Sequence, residues 1–186
     1  MESLHPLAPG SYEGFLIESF PVLRRARGQG RARSLRLDTS KFVVSSRQPA
    51  TALNEFASIQ RIIGPGEVID RLPDLLEAIG TGELGIAHFA CRNSYRPDSG
   101  SSIDLAGGPL IPELLNSAAA QRSLARSNPL VFLDACRSSG ASPDFTQMMG
   151  WAQQFLTAGA GAFIGTLRAV RSDKATSWLR HRILLA

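Results

Sequence analysis

One stretch constrains this chain more than any other. Pro129 leads into Leu130, Val131, Phe132 and Leu133, then Asp134, Ala135 and Cys136, with Arg137, Ser138, Ser139 and Gly140 behind. The apolar block is long enough for a strand buried within a sheet, and it stops at a thiol followed by a small polar, glycine-containing turn. Such a strand would hold Cys136 at the carboxyl edge of the sheet, where open α/β folds bind ligands. That is how a fold presents a nucleophile. The competing reading of Cys136 is a small buried thiol that only packs.

The remaining chain supplies neighbours for that strand. Residues 41–45 (Lys41 to Ser45) and 84–90 (Leu84 to Ala90) read as strands, as do Val68-Ile69 and 162–167 (Ala162 to Leu167). Between them, Leu53, Phe56, Ile59, Ile62 and Ile63 recur at helical spacing within residues 50–63, and Gly64-Pro65-Gly66 ends that helix. Residues 72–79 form a second helix with Pro73 near its start. Residues 111–126 are expected to be helical with Leu114, Leu115, Ala118 and Ala119 on one face. Helices are also expected at 147–158 and 173–184, whereas 93–108, polar and rich in glycine and serine, reads as a long functional loop. Strands alternating with helices predict an α/β fold with a mostly parallel central sheet flanked by helices on both faces. Residues 1–41 form a basic N-terminal segment, with a strand expected at 12–20 and a turn at 28–30. Residues 42–186 form the domain proper, and its still-apolar end at Ile183 to Ala186 marks either an abrupt boundary or a truncation.

Bulk properties narrow the function classes. At 186 residues, with 44% hydrophobic and 19% charged residues, the chain is the size and composition of one globular domain. No apolar run approaches a membrane span, and the start at Met1 does not read as a signal peptide. Two cysteines, Cys91 and Cys136, make no disulfide framework, so the expected setting is reducing and cytoplasmic. The net charge of +4 owes much to Arg24, Arg25, Arg27, Arg31, Arg33 and Arg36. No aromatic-interleaved nucleic-acid module accompanies them, so they read as a solvated loop and not as a nucleic-acid surface. No Cys/His cluster has metal-ligand spacing, and there is no phosphate-binding or dinucleotide fingerprint. Neither a metal nor a cofactor is expected.

A cysteine peptidase on such a sheet needs a thiolate, a histidine at the end of a neighbouring strand, and backbone N–H donors for the oxyanion. The strand at 84–90 ends in His88, Phe89, Ala90, Cys91, Arg92 and Asn93. Together with the run at 129–140 and with residues 150–167, this segment resembles the CHAT domain family over roughly residues 42–184. CHAT domains are caspase-like cysteine peptidases, in one clan with separases, metacaspases and gingipains. The resemblance implies a caspase-like fold, Cys136 as nucleophile, a protein or peptide substrate, and no cofactor. It further implies a regulatory or sensor protein, or a fused domain, as partner. Asn93 would supply an oxyanion-hole N–H. Asp134 would bind a basic P1 side chain, as it does in several clan members, or else cap nearby backbone N–H groups.

Two positions depart from the family. Its general-base histidine falls on Arg92, and an arginine stays protonated at any working pH. His88 lies four residues earlier, about 13 Å away at strand rise, and reads as a structural histidine. His5 and His181 lie near no motif. Arg168 stands where relatives usually carry tryptophan; it either reshapes the substrate pocket or points to solvent. Cys91 reads as core filler, and Asp173 as an N-cap. The expectation is a cysteine peptidase domain made idle or weak by Arg92. The alternative is a pseudo-protease, a peptide-binding or protein-interaction module in a larger sensor or defence assembly. A third reading is an enzyme whose histidine was replaced to trap substrate or stop self-cleavage.

Overall fold

The structure, a computed structural model, describes residues 34–35, 37–45, 51–91, 93–96, 100–134 and 150–165. Five strands form one sheet in the order β2-β1-β3-β7-β8: β1 (Ser40–Val44), β2 (Glu67–Ile69), β3 (Ile86–Ala90), β7 (Leu130–Asp134) and β8 (Ala162–Gly165). Every neighbouring pair within it is parallel. Helices α1 (Thr51–Ile63), α2 (Leu72–Thr81), α3 (Ala118–Ser127) and α4 (Trp151–Ala158) flank it. This is the expected α/β architecture, a mostly parallel sheet flanked by helices, and it is consistent with a caspase-like fold.

Strand side chains alternate between faces, and the two faces pack differently. Val43, Phe89, Val131 and Leu133 join the larger core, together with Leu75 and Ile79 of α2, Leu124 of α3, and Trp151 and Phe155 of α4. The opposite face carries one row across all five strands: Val68, Phe42, His88, Phe132 and Ile164. Helix α1 covers Phe42 through Ile59, with Phe56, Ile63 and Phe132 packed alongside. The Phe56 ring meets Phe42 edge-on at 4.5 Å, a favoured aromatic geometry. At the amino end of the sheet, Lys41 is nearly buried and reaches Glu67 Oε2 at 2.5 Å and Glu83 Oε2 at 3.7 Å. That pairing satisfies a charge that burial alone would penalise.

Three sequence expectations need correction. The described residues of the 93–108 stretch are not a loop. They hold β4 (Asn93–Arg96), β5 (Gly100–Leu105) and the start of β6 (Gly108–Leu110), which form an antiparallel sheet in that order. Its inner positions, Ile103, Leu105 and Leu110, are buried, while Ser102 and Asp104 alternate outward. A half-solvated antiparallel sheet is polar on one face, and short strands turned at Gly107 (φ 85°) disguise the alternation. Two backbone bonds, Leu72 N–H to Ala106 O (2.8 Å) and Ala106 N–H to Asp70 O (2.9 Å), tie this sheet to the β2–α2 junction.

Nor is 111–126 one helix. Pro112–Asn116 is a 3-10 turn, and Ser117, extended at ψ 140°, then caps α3 by accepting from Ala120 N–H at 3.2 Å. The break rotates the faces, so Ala118 and Ala119 are exposed while Leu115, Ala120 and Leu124 are buried. Finally, the helix expected at 147–158 begins at Trp151, because Gly150 is extended (φ −95°, ψ 164°). Residues 147–149 lie outside the described residues, as do the strand expected at 12–20, the turn at 28–30 and the helix at 173–184.

Candidate functional site at the carboxyl edge of the sheet

The central strands β3 and β7 are parallel neighbours in the register Ile86↔Leu130, His88↔Phe132 and Ala90↔Asp134. They therefore end level with each other. Two residues past that last pair, the chain reaches Arg92 on one side and Cys136 on the other. Both residues, like Arg168, lie outside the described residues, and so does Asp134 beyond its backbone. The paired segments are apolar from Leu130 to Leu133 in β7 and, His88 apart, from Ile86 to Ala90 in β3.

His88 sits two residues below that edge. It is 3% exposed, and its ring stacks on Phe132 with centroids 4.8 Å apart and planes 8° from parallel. Phe42 lies 6.1 Å away on its other side. Its strand partner is thus Phe132, four residues before Cys136 in the chain, and its ring is held within the aromatic row. The sequence expectation of a buried structural histidine agrees with this placement.

Asn93 opens β4 opposite Ile103. Its Oδ1 accepts a hydrogen bond from Trp151 Nε1 at 3.1 Å. Trp151 is 1% exposed, and a buried indole N–H requires such an acceptor. Cys91, immediately after β3, is 3% exposed and does more than fill space: its thiol donates to the Val43 carbonyl at 3.2 Å. Neither bond was legible in the sequence. The available signal was the tryptophan at the head of an apolar helix, whose N–H had to find a partner on a neighbouring element. Among the described residues, no group of three or more His, Cys, Asp or Glu side chains is placed to hold a metal. Also among them, no helix is long and apolar enough to cross a membrane.

The fold and its edge define a class: a parallel α/β domain whose two central strands end level at the same rim. The CHAT domain family matches residues 11–184, nearly the whole chain, and the protein belongs to that family. The match begins within the basic N-terminal segment. No curated protein matches the sequence.

Proposed function

We propose that this chain is a CHAT-type, caspase-like cysteine peptidase domain in which Cys136 holds the nucleophile position and Arg92 the general-base position. The observation that carries this reading is the level ending of β3 and β7 at Ala90 and Asp134, which puts positions 92 and 136 at equal offsets from one paired row. In peptide hydrolysis the thiolate adds to the scissile carbonyl. The C–N bond then breaks as the departing amine takes a proton, and water later releases the acyl group. A histidine would move both protons. The Arg92 guanidinium cannot accept one and is far too weak an acid to give one readily, so the thiol turns over slowly or not at all. In this reading a guanidinium beside the thiol would still favour the thiolate.

In this reading the backbone N–H groups of Asn93 and Cys136 face the oxyanion, Asp134 receives a basic P1 side chain, and Arg168 lines the substrate pocket. The substrate is a protein or peptide, supplied or controlled by a regulatory or sensor partner in a cytoplasmic setting. Arg92 favours a second reading, a pseudo-protease that binds peptides without cutting them.

Hydrolysis of fluorogenic peptides with arginine at P1 separates these readings. The protein should show no turnover above its Cys136→Ala variant, while Arg92→His should gain Cys136-dependent cleavage. Turnover in the unaltered chain that Cys136→Ala abolishes would overturn the idle-nucleophile reading. If Arg92→His stays silent while an arginine-containing peptide still binds, measured by fluorescence anisotropy, the protein is a binding module.

A further inference from the structure

The residues on either side of position 92 in the chain make side-chain hydrogen bonds to two different elements. On the β3 side, the Cys91 thiol donates to the Val43 carbonyl of β1 at 3.2 Å. On the β4 side, Asn93 Oδ1 accepts from Trp151 Nε1 of α4 at 3.1 Å. Both anchors are set in the core. Trp151 packs against Phe155 (ring centroids 6.1 Å), and Phe155 packs against Phe89 of β3 (5.7 Å) and Phe163 of β8 (6.0 Å). The backbone of Asn93 is further registered opposite Ile103, which is fully buried.

We propose that Cys91 and Asn93 are positioning residues for the residue between them, holding the end of β3 against β1 and the start of β4 against α4. This inference rests on the reading that position 92 belongs to the candidate site. Neither bond involves a charged group. The hold on Cys91 and Asn93 therefore does not depend on a charge at residue 92. Side chains that act by orienting a reacting group through such supporting bonds are what keep a site within its productive geometry.

Paired substitutions test this in the full chain. Cys91→Ser and Asn93→Asp keep a donor and an acceptor, whereas Cys91→Ala and Asn93→Ala remove them. Amide exchange of the peptide covering 89–94 is read by mass spectrometry, with α2 as an internal reference. The expected result is exchange about tenfold faster at 89–94 in the two alanine variants, with the serine and aspartate variants within about twofold of the parent and α2 unchanged. If Cys91 only fills the core, alanine will be tolerated better than serine. That order, or equal exchange in all four variants, overturns the anchoring. A rise in α2 exchange of the same size overturns it too, because the effect is then global.

The second readout is alkylation of Cys136 by a peptidyl chloromethyl ketone with arginine at P1, compared with iodoacetamide. The alanine variants should lose about tenfold in the peptidyl rate while the iodoacetamide rate changes less than about twofold. Faster exchange with an unchanged peptidyl rate overturns the positioning role. If the parent shows no peptidyl preference at Cys136, the site reading fails instead, and exchange alone still decides the anchoring.

Discussion

Replacing His88 with alanine separates a structural histidine from a catalytic one. The ring is 3% exposed, stacks on Phe132 at 4.8 Å, and sits in the middle of a five-strand row beside Phe42. Removing it leaves a ring-sized void between two aromatic side chains that α1 already braces and that cannot close fully. Deleting a buried ring of this kind costs about 2–4 kcal/mol, slightly below the Phe→Ala range because imidazole is smaller than phenyl. At this chain length a loss of about 3 kcal/mol lowers Tm by roughly 6–12 °C. Urea unfolding should show a lower midpoint with an unchanged slope. The same variant, assayed well below its midpoint, should keep the peptidyl alkylation rate at Cys136 within about threefold, whereas loss of a working acid–base group costs about 10²–10⁴-fold. A stability change below about 1 kcal/mol would refute the packing argument. A hundredfold fall in the alkylation rate with the fold intact would make His88 part of the chemistry.

Other perturbations probe the supports of the site. Ile103→Ala, at a fully buried position of β5, should cost about 2–5 kcal/mol in urea unfolding, since residues 100–110 are sheet and core; a cost typical of a surface loop would contradict the antiparallel sheet. Gly159, at φ 112°, ends α4, and a Cβ there would lie 2.5 Å from Ala125 N and 2.6 Å from Ala125 Cα. Gly159→Ala should therefore lower stability by about 2–4 kcal/mol from left-handed strain and overlap together, with a neutral outcome ruling out that close approach. Ser117→Ala removes the α3 cap bond and should cost about 1 kcal/mol, visible as a small drop in Tm. No change on that substitution would mean that the 3-10 turn, and not the hydroxyl, sets the start of α3.

Much of the architecture was legible because burial writes itself into composition. Runs at 41–45, 84–90 and 130–134, apolar at most positions, read as strands of a covered sheet, and α1 and α2 announced themselves by spacing and by glycine and proline at their ends. The polar stretch 93–108 was opaque because a sheet solvated on one face carries half the apolar signal, and short strands dilute it further. The same limit applied to 111–126. A 3-10 turn and an α-helix share apolar spacing closely enough that only the extended backbone at Ser117 reveals the break. At the site, the motif residues Arg92, Cys136 and Arg168 were named from sequence and lie outside the described residues. Asn93, Asp134 and His88 could be placed on the fold.

The sequence alone determined which residue types this protein has available: thiols at 91 and 136, an arginine at 92 and a histidine at 88. Only the tertiary structure decided that the strands before Arg92 and Cys136 end level, with Ala90 paired to Asp134. Register between parallel strands is set by side chains packing on both faces of the sheet, a non-local property that neither strand carries by itself. The same holds for the thiol of Cys91 and the amide of Asn93. Their partners, Val43 and Trp151, are 48 and 58 residues distant along the chain and meet them only once β1 and α4 have packed.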